Sequence, residues 1–217
     1  MVQINGILGE YIMIEQESNN SDIAKRFDIS RIDFDLLRRE FAKTKKKNLL
    51  ITDLDELIQT RLDSMLKENP SRVDYYERYQ TIIDEYNNEQ DRANIEKTFM
   101  DLMNLANSMN QEEKRYVREG FTSDEELSLY DMLFNENLSK EDINKIKKVA
   151  VDLLEKIKEK ISELDHWTDK QETKAAVDNL IRDTLWAELP ECYDEVSISG
   201  YRQKIYEYVY TRYKEVA

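Results

Sequence analysis

Histidine and cysteine occur once each in 217 residues, proline twice and glycine four times. Each scarcity removes a class of function. One His and one Cys cannot furnish a metal cage or a histidine-based triad. The lone Cys192 rules out an intramolecular disulfide framework and fits a reducing cytosol. Gly6, Gly9, Gly120 and Gly200 are too scattered for a phosphate-cradling loop or a dinucleotide fingerprint, and none opens a GxxxxGK pattern. Asp53-Leu54-Asp55 lacks the nearby glycine that an EF-hand loop needs. No apolar run approaches the roughly 20 residues that span a bilayer. Met1-Val2-Gln3-Ile4 has no basic start of a signal peptide. The expectation is a cytoplasmic protein with no membrane partner.

What is present is charge and aromatic mass in helical order. Charged residues make up 36% of the chain, a share normal for long solvated helices. The 13 Tyr, 6 Phe and 2 Trp argue against disorder. The formal net charge is -14, which repels phosphate and argues against a general grip on nucleic acid. It serves either solubility or charge-matched docking.

Apolar residues recur at three- and four-residue steps along most of the chain, the mark of amphipathic helices. Residues 1–28 are the exception, and read as a lead-in or linker from something upstream. There Ile4, Ile7, Leu8, Tyr11, Ile12 and Ile14 suit a helix stripe, while Tyr11 to Ile14 also suit an extended segment. Next, Phe34, Leu37 and Phe41 mark a face that ends in Lys43 to Lys47. Leu49-Leu50-Ile51 reads as extended, and Thr52 as the N-cap of a helix that uses Leu54, Leu57, Ile58, Leu62 and Met65 and stops at Asn69-Pro70. Tyr76, Tyr79, Ile83 and Tyr86 form one stripe, with Tyr75 off it. Ile95, Phe99, Leu102, Ala106 and Met109 form another. Gly120 ends a short helix spanning about 112–119 as its C′ residue.

Two capping boxes follow, Ser123 to Glu126 and Thr168 to Gln171. The first opens a helix with Leu127, Tyr130 and Phe134. The second opens one with Ala176, Val177, Leu180, Ile181 and Leu185, broken at Leu189-Pro190. Between them, from Ser139, Ile143, Ile146, Ala150, Leu153, Ile157, Ile161 and Leu164 hold one side of a long helix for about six turns. A last helix uses Ile205, Tyr208, Val209 and Val216. No fixed repeat is visible. The fold class is all-α, an irregular multi-helix bundle of about ten helices, with residues 29–217 as the helical domain.

Weak chemical signals fail on inspection. Glu163-x-x-His166 has di-iron bundle spacing, but a second such motif cannot exist with one His, so His166 reads as a helix-end residue. Glu112-Glu113 and Asp124-Glu125-Glu126 read as solvated helix faces. Lys45, Lys46 and Lys47 read as a helix terminus and loop, with contact to a phosphate or an acidic partner as the alternative. Tyr201, Tyr206, Tyr208, Tyr210 and Tyr213 are too dense to face one way, because alternate helix residues diverge. They divide between core packing and a partner surface. Catalytic, cofactor and metal residues are expected to be none.

Several segments in order resemble the C-terminal helical domain of type I restriction enzyme R subunits. They begin at Ile32-Asp33-Phe34-Asp35-Leu36-Leu37 with Phe41 and run on through Leu66-Lys67-Glu68-Asn69-Pro70-Ser71-Arg72 and Tyr75-Tyr76-Glu77-Arg78-Tyr79-Gln80. Next come Ile82-Ile83-Asp84-Glu85-Tyr86-Asn87, Leu127-Ser128-Leu129-Tyr130-Asp131 and Asn137-Leu138-Ser139-Lys140-Glu141. The set closes with Trp167-Thr168 and Leu189-Pro190 followed by Tyr193. The resemblance covers about residue 29 to the end.

It implies a part of the subunit whose other portions hold the nuclease and the two helicase-like lobes that use ATP and Mg2+ to translocate DNA. It also implies a role in attaching that motor to the methyltransferase core of modification and specificity subunits, with DNA contacted only through the full complex. The nuclease and ATPase motifs are absent from this chain. A second hypothesis is a stand-alone acidic helical regulator or DNA mimic. A third is direct DNA contact through Lys45, Lys46 and Lys47.

Overall fold

The computed structural model describes residues 32–88 and 92–214, with the backbone alone at Arg92. The expected lead-in at 1–28 and the apolar Val216 lie outside these residues. Among them are nine α-helices, one 3-10 turn and no strand, the all-α architecture expected. The chain divides into two compact units. Unit 1 takes residues up to 67 and 72–114. Unit 2 takes 68–71 and 115 onward.

Unit 1 holds α1 (Phe34–Lys43), the body of α2 (Lys47–Glu68), α3 (Val73–Asn88) and α4 (Arg92–Glu112). Asp33 caps α1 by accepting from the Leu36 amide at 2.9 Å, which satisfies one of the helix's orphan donors. Leu37 and Phe41 enter the core beside Leu50, Ile51, Leu54, Ile58, Leu62 and Met65 of α2 and Phe99, Leu102, Ala106 and Met109 of α4. Phe41 stacks on Phe99 with ring centroids 3.7 Å apart. Each such fully buried aliphatic side chain contributes about 1.5–3 kcal/mol relative to exposure.

Two expectations in unit 1 are corrected. Leu49-Leu50-Ile51 is helical, because α2 begins at Lys47 and carries on through it. Three consecutive apolar residues have no period of their own, and Leu50, Leu54 and Ile58 extend the stripe back across them at i, i+4 and i+8. Thr52 is therefore no cap; its hydroxyl donates to the Asn48 carbonyl within the helix at 3.0 Å. On α3 the roles of two tyrosines are exchanged. Tyr75 packs partly buried against the core, and Tyr76 is exposed.

Unit 2 holds α5 (Arg115–Glu119), α6 (Asp124–Leu133), α7 (Lys140–Ser162), α8 (Gln171–Glu188) and α9 (Glu195–Tyr213). α7 packs on α6 and α8, and α9 on α8 and α6. The α7 stripe is as expected, with Ile146, Ala150, Leu153, Ile157 and Ile161 buried and Ile143 and Leu164 at its edges. Ser139 caps it from the Asp142 amide at 3.1 Å. Ser123 caps α6 by accepting from the Glu126 amide, while Glu126 reaches back to the Thr122 amide at 2.7 Å. The second expected box does not form. α8 begins at Gln171 with Lys170 as N-cap and no side-chain cap bond. A different threonine answers: Thr173 donates to the Trp167 carbonyl at 2.7 Å, drawing the turn against the helix.

Gly120 ends α5 as expected. Its φ is +86°, the Phe121 amide bonds the Tyr116 carbonyl at 2.8 Å, and the Gly120 amide bonds Val117 at 3.1 Å. This is the paired bonding of a Schellman end, with Phe121 folded into the core. A Cβ at Gly120 would meet nothing within 4 Å, so only the backbone conformation opposes substitution. Gly120→Ala is expected to lower stability by about 1–2 kcal/mol in urea titration, and Gly120→Asn by less.

Candidate partner-docking surface

The five C-terminal tyrosines line the inside of unit 2 more than its outside. Tyr208 and Tyr213 are buried, while Tyr201, Tyr206 and Tyr210 are half-buried against the core. The organising group is Trp167, which is fully buried and donates its indole N–H to the Tyr213 carbonyl at 3.0 Å. Tyr206 and Tyr210 meet the Trp167 ring edge-on at centroid distances of 6.5 and 5.8 Å. Tyr201 packs the same way on Tyr193, whose hydroxyl donates to the Leu133 carbonyl at 2.6 Å. Burial pushes the Tyr193, Tyr208 and Tyr213 phenols above their ordinary pKa, so they stay neutral.

Unit 1 carries the lysine run. Lys47 is turned inward: it pairs with Glu96 at 2.7 Å and lies over the Phe41 ring at 4.9 Å. Lys43 pairs with Glu40 at 3.0 Å. Lys45 and Lys46 remain exposed on the turn between α1 and α2.

The acidic pairs read as solvated faces are partly engaged instead. Glu112 is buried and accepts from Arg72 at 3.1 Å, with 4% and 9% of the two side chains exposed. Glu113 pairs with Arg61. In unit 2, Glu125 accepts from Lys158 and from Arg212, the latter at 2.7 Å. Adjacent carboxylates are ordinary in a chain with 46 acids, so nothing in sequence marked these as anchors.

Burial alone would raise the Glu125 pKa, but the bonds from Lys158 and Arg212 outweigh it and hold the carboxyl below its usual range. A depressed folded pKa gives stability that is present above the unfolded value of about 4.3 and is lost as pH falls through the folded one. Glu125→Gln is therefore expected to lower stability at neutral pH. It should also flatten the decline of stability below about pH 4, read by urea titration across pH.

The residues that carry the resemblance are largely structural clamps. Asn69 is fully buried, donates to Asp131 at 2.7 Å and accepts from the Ser71 amide at 3.0 Å. Arg115 joins Asp131 as well. The Ser128 hydroxyl lies 2.9 Å from the Glu68 carbonyl. In unit 1 the Tyr79 hydroxyl donates to Asp55 at 2.7 Å and receives Gln59, and its pKa is pushed up to about 12, first by burial.

One concavity stands out on unit 2. It is a groove of about 390 Å³ between α8 and α9, lined by Lys174, Asp178, Ser199, Arg202, Gln203 and Tyr206 among others. Arg202 holds Asp178 through two bonds, 2.7 and 2.5 Å. Lys174 lies over the Tyr210 ring at 5.9 Å. Beyond the groove Trp186 is 54% exposed and Val196 80% exposed. The register could have revealed Trp186, since the buried stripe of α8 runs through Val177, Ile181, Thr184 and Leu185, and position 186 falls off it.

His166 lies three residues past the C-cap Glu163 of α7, exposed and with φ of 47°. Among the described residues no group of three or more His, Cys, Asp or Glu could hold a metal ion. Among them, too, no helix is long and apolar enough to cross a membrane. No curated protein and no solved structure matches the chain. The profile of one protein family, described as type I restriction enzyme HindI endonuclease subunit-like, C-terminal, does match, over residues 15–206. That span takes in every helix from α1 to α8 and most of α9. The chain belongs to this family of type I restriction enzyme C-terminal domains.

Proposed function

We propose that this chain is a non-catalytic docking domain. It attaches the ATP-dependent DNA translocase and endonuclease subunit to the methyltransferase core of modification and specificity subunits in the cytoplasm. Membership of the family over residues 15–206 carries the reading. ATP and Mg2+ belong, on this reading, to motor lobes elsewhere in the same subunit, and DNA is met only through the assembled complex.

The arrangement of titratable groups supports it. Glu112, Glu113, Glu119 and Glu125 are each engaged by a cation of the same unit. A general acid or base needs a reacting group within reach and a proton to exchange, and carboxylates engaged in this way are poorly placed for that work. Fixed internal anchors suit a rigid coupling element.

The alternative of a charge mimic of DNA fares worse. A mimic needs acids at phosphate-like spacing without intervening cations. Here Lys156 pairs with Glu188, Lys158 with Glu125 and Lys160 with Glu163, which interrupts any acidic stripe along α7.

The test is a parent subunit truncated before Ile32. The expected result is loss of co-purification with the methyltransferase core and loss of DNA cleavage in the mixed system, with ATP hydrolysis by the motor lobes retained. Normal assembly and cleavage by the truncated subunit would overturn the proposal.

A further inference from the structure

Helix α3 is apolar on two sides. Its inward stripe is Tyr75, Tyr79, Ile82 and Tyr86, at steps of four, three and four, and packs on the unit 1 core. A second stripe runs through Val73, Tyr76, Gln80 and Ile83, at steps of three, four and three. Ile83 leans on the core at its edge, while Val73 is 51% and Tyr76 45% exposed. A helix that served this unit alone would need only the first stripe. The spacing of the second is that of the anchors by which one helix docks on another.

The second stripe borders α2. The Tyr76 ring lies 6.3 Å from that of Tyr79, whose hydroxyl is bonded to Asp55 and Gln59 of α2. α4 lies on the opposite side of α3, where Lys97 pairs with Glu85. Exposed carboxylates rim the stripe. Glu77 and Asp84 follow Tyr76 and Ile83 on α3, and Glu56 and Asp63 stand a turn to either side of Gln59 on α2. The cations of unit 1 do not answer them. Lys47, Arg61, Arg72 and Lys97 are each held by a carboxylate elsewhere. Arg78 lies over the Tyr75 ring, on the inward side. Lys45 and Lys46 stand at the far end of α2, about 20 Å from Gln59 along the axis. Arg38 and Arg39 belong to α1, whose Phe41 stacks on Phe99 of α4, and Lys114 follows α4. Lys67, two turns past Gln59, is the exposed cation left on α2 beside the stripe, against four rim carboxylates.

We propose that this second stripe of α3 receives a cationic amphipathic helix of the methyltransferase core. The apolar side chains of that helix lie on Val73, Tyr76 and Ile83. Its flanking Lys or Arg side chains meet Glu77 and Asp84 along one edge and Glu56 and Asp63 along the other. The assignment rests on the docking reading given above and names the surface that performs it. Charge selects this occupant. A core that holds DNA must present Lys and Arg to neutralise phosphates, so an acidic rim is complementary to it. Nucleic acid itself is repelled by the same rim. Two copies of this chain would set identical acidic rims against each other, each within a net charge of -14.

The test is a calorimetric titration of the purified methyltransferase core with the chain at several salt concentrations. Tyr76→Lys, Val73→Lys and the double variant Asp63→Lys with Glu77→Lys are titrated beside it. We expect Tyr76→Lys and the double variant each to weaken binding at least tenfold. Native binding should weaken as salt rises, and the double variant should flatten that dependence. Because the stripe is open to water, Tyr76→Lys and Val73→Lys should leave the melting temperature within about 3 °C of the native chain. A much larger fall in both would mean that the chain itself covers the stripe, and would overturn the proposal. If the native chain binds and all the variants bind alike, another surface docks, so the proposal falls and the docking reading stands. If the native chain does not bind, both fall. A dimer of the chain that Tyr76→Lys dissolves would make the occupant a second copy and overturn the proposal.

Discussion

Trp167→Ala is expected to destabilise unit 2 by about 3–5 kcal/mol, the range for a large aromatic removed from a core that cannot collapse around the gap. The indole is fully buried and sits in the turn between α7 and α8, with Tyr206 and Tyr210 of α9 edge-on to it. It therefore ties the loop to the last helix, and its loss leaves a cavity bordered by two rings. It also leaves the Tyr213 carbonyl without its indole donor. Trp167→Phe separates the two terms. The ring volume is largely kept and the N–H is lost, so about 1–3 kcal/mol should remain, the cost of an unmade buried hydrogen bond with a smaller void. Equilibrium urea unfolding followed by far-UV circular dichroism reads both. Equal stability of Trp167→Ala and the native chain would contradict the packing described.

The second large effect lies in unit 1. Removing one partner of the Arg72–Glu112 pair leaves a buried charge without its ion-pair partner, and Arg72→Met or Glu112→Gln is expected to cost about 3–5 kcal/mol. Removing both behaves differently. Each ion pays a desolvation penalty that its mutual attraction only partly returns, so Arg72→Met with Glu112→Leu should come within about 1 kcal/mol of the native chain or exceed it. The double-mutant cycle thus separates the value of the pair from the penalty of breaking it. Single losses below about 1 kcal/mol would mean that solvent reaches the pair, against exposures of 4% and 9%.

These two sites also show how far the sequence could be read. The long α7 was legible from its seven-member apolar stripe, because a 3.6-residue period is a local signal. The end of α5 was legible from Gly120, whose positive φ suits glycine. The start of α2 was not, since Leu49-Leu50-Ile51 has no period and tertiary burial of Leu50 and Ile51 decided its state. Thr168 failed as a cap because a box is only a pattern, and the chain placed Thr173 on the Trp167 carbonyl instead.

Burial of charge was the least legible property. Glu112 looks like any other acid on a helix, and its partner lies 40 residues away in the chain. The same limit hid Asn69, which reads as a helix stop from its place before Pro70 yet is fully buried on Asp131. The tyrosines of α9 were legible in part. Alternate residues had to diverge, and they did, with Tyr208 inside and Tyr206 and Tyr210 leaning on Trp167. The residues that carry the family resemblance are thus mostly those that hold the fold.

Size exclusion with light scattering, on the purified chain mixed with the methyltransferase core of modification and specificity subunits, tests the docking account most directly. Docking gives one species whose mass is the sum of the core and at least one copy of the chain. Separate elution at tens of micromolar, with the chain fully helical by circular dichroism, would contradict it.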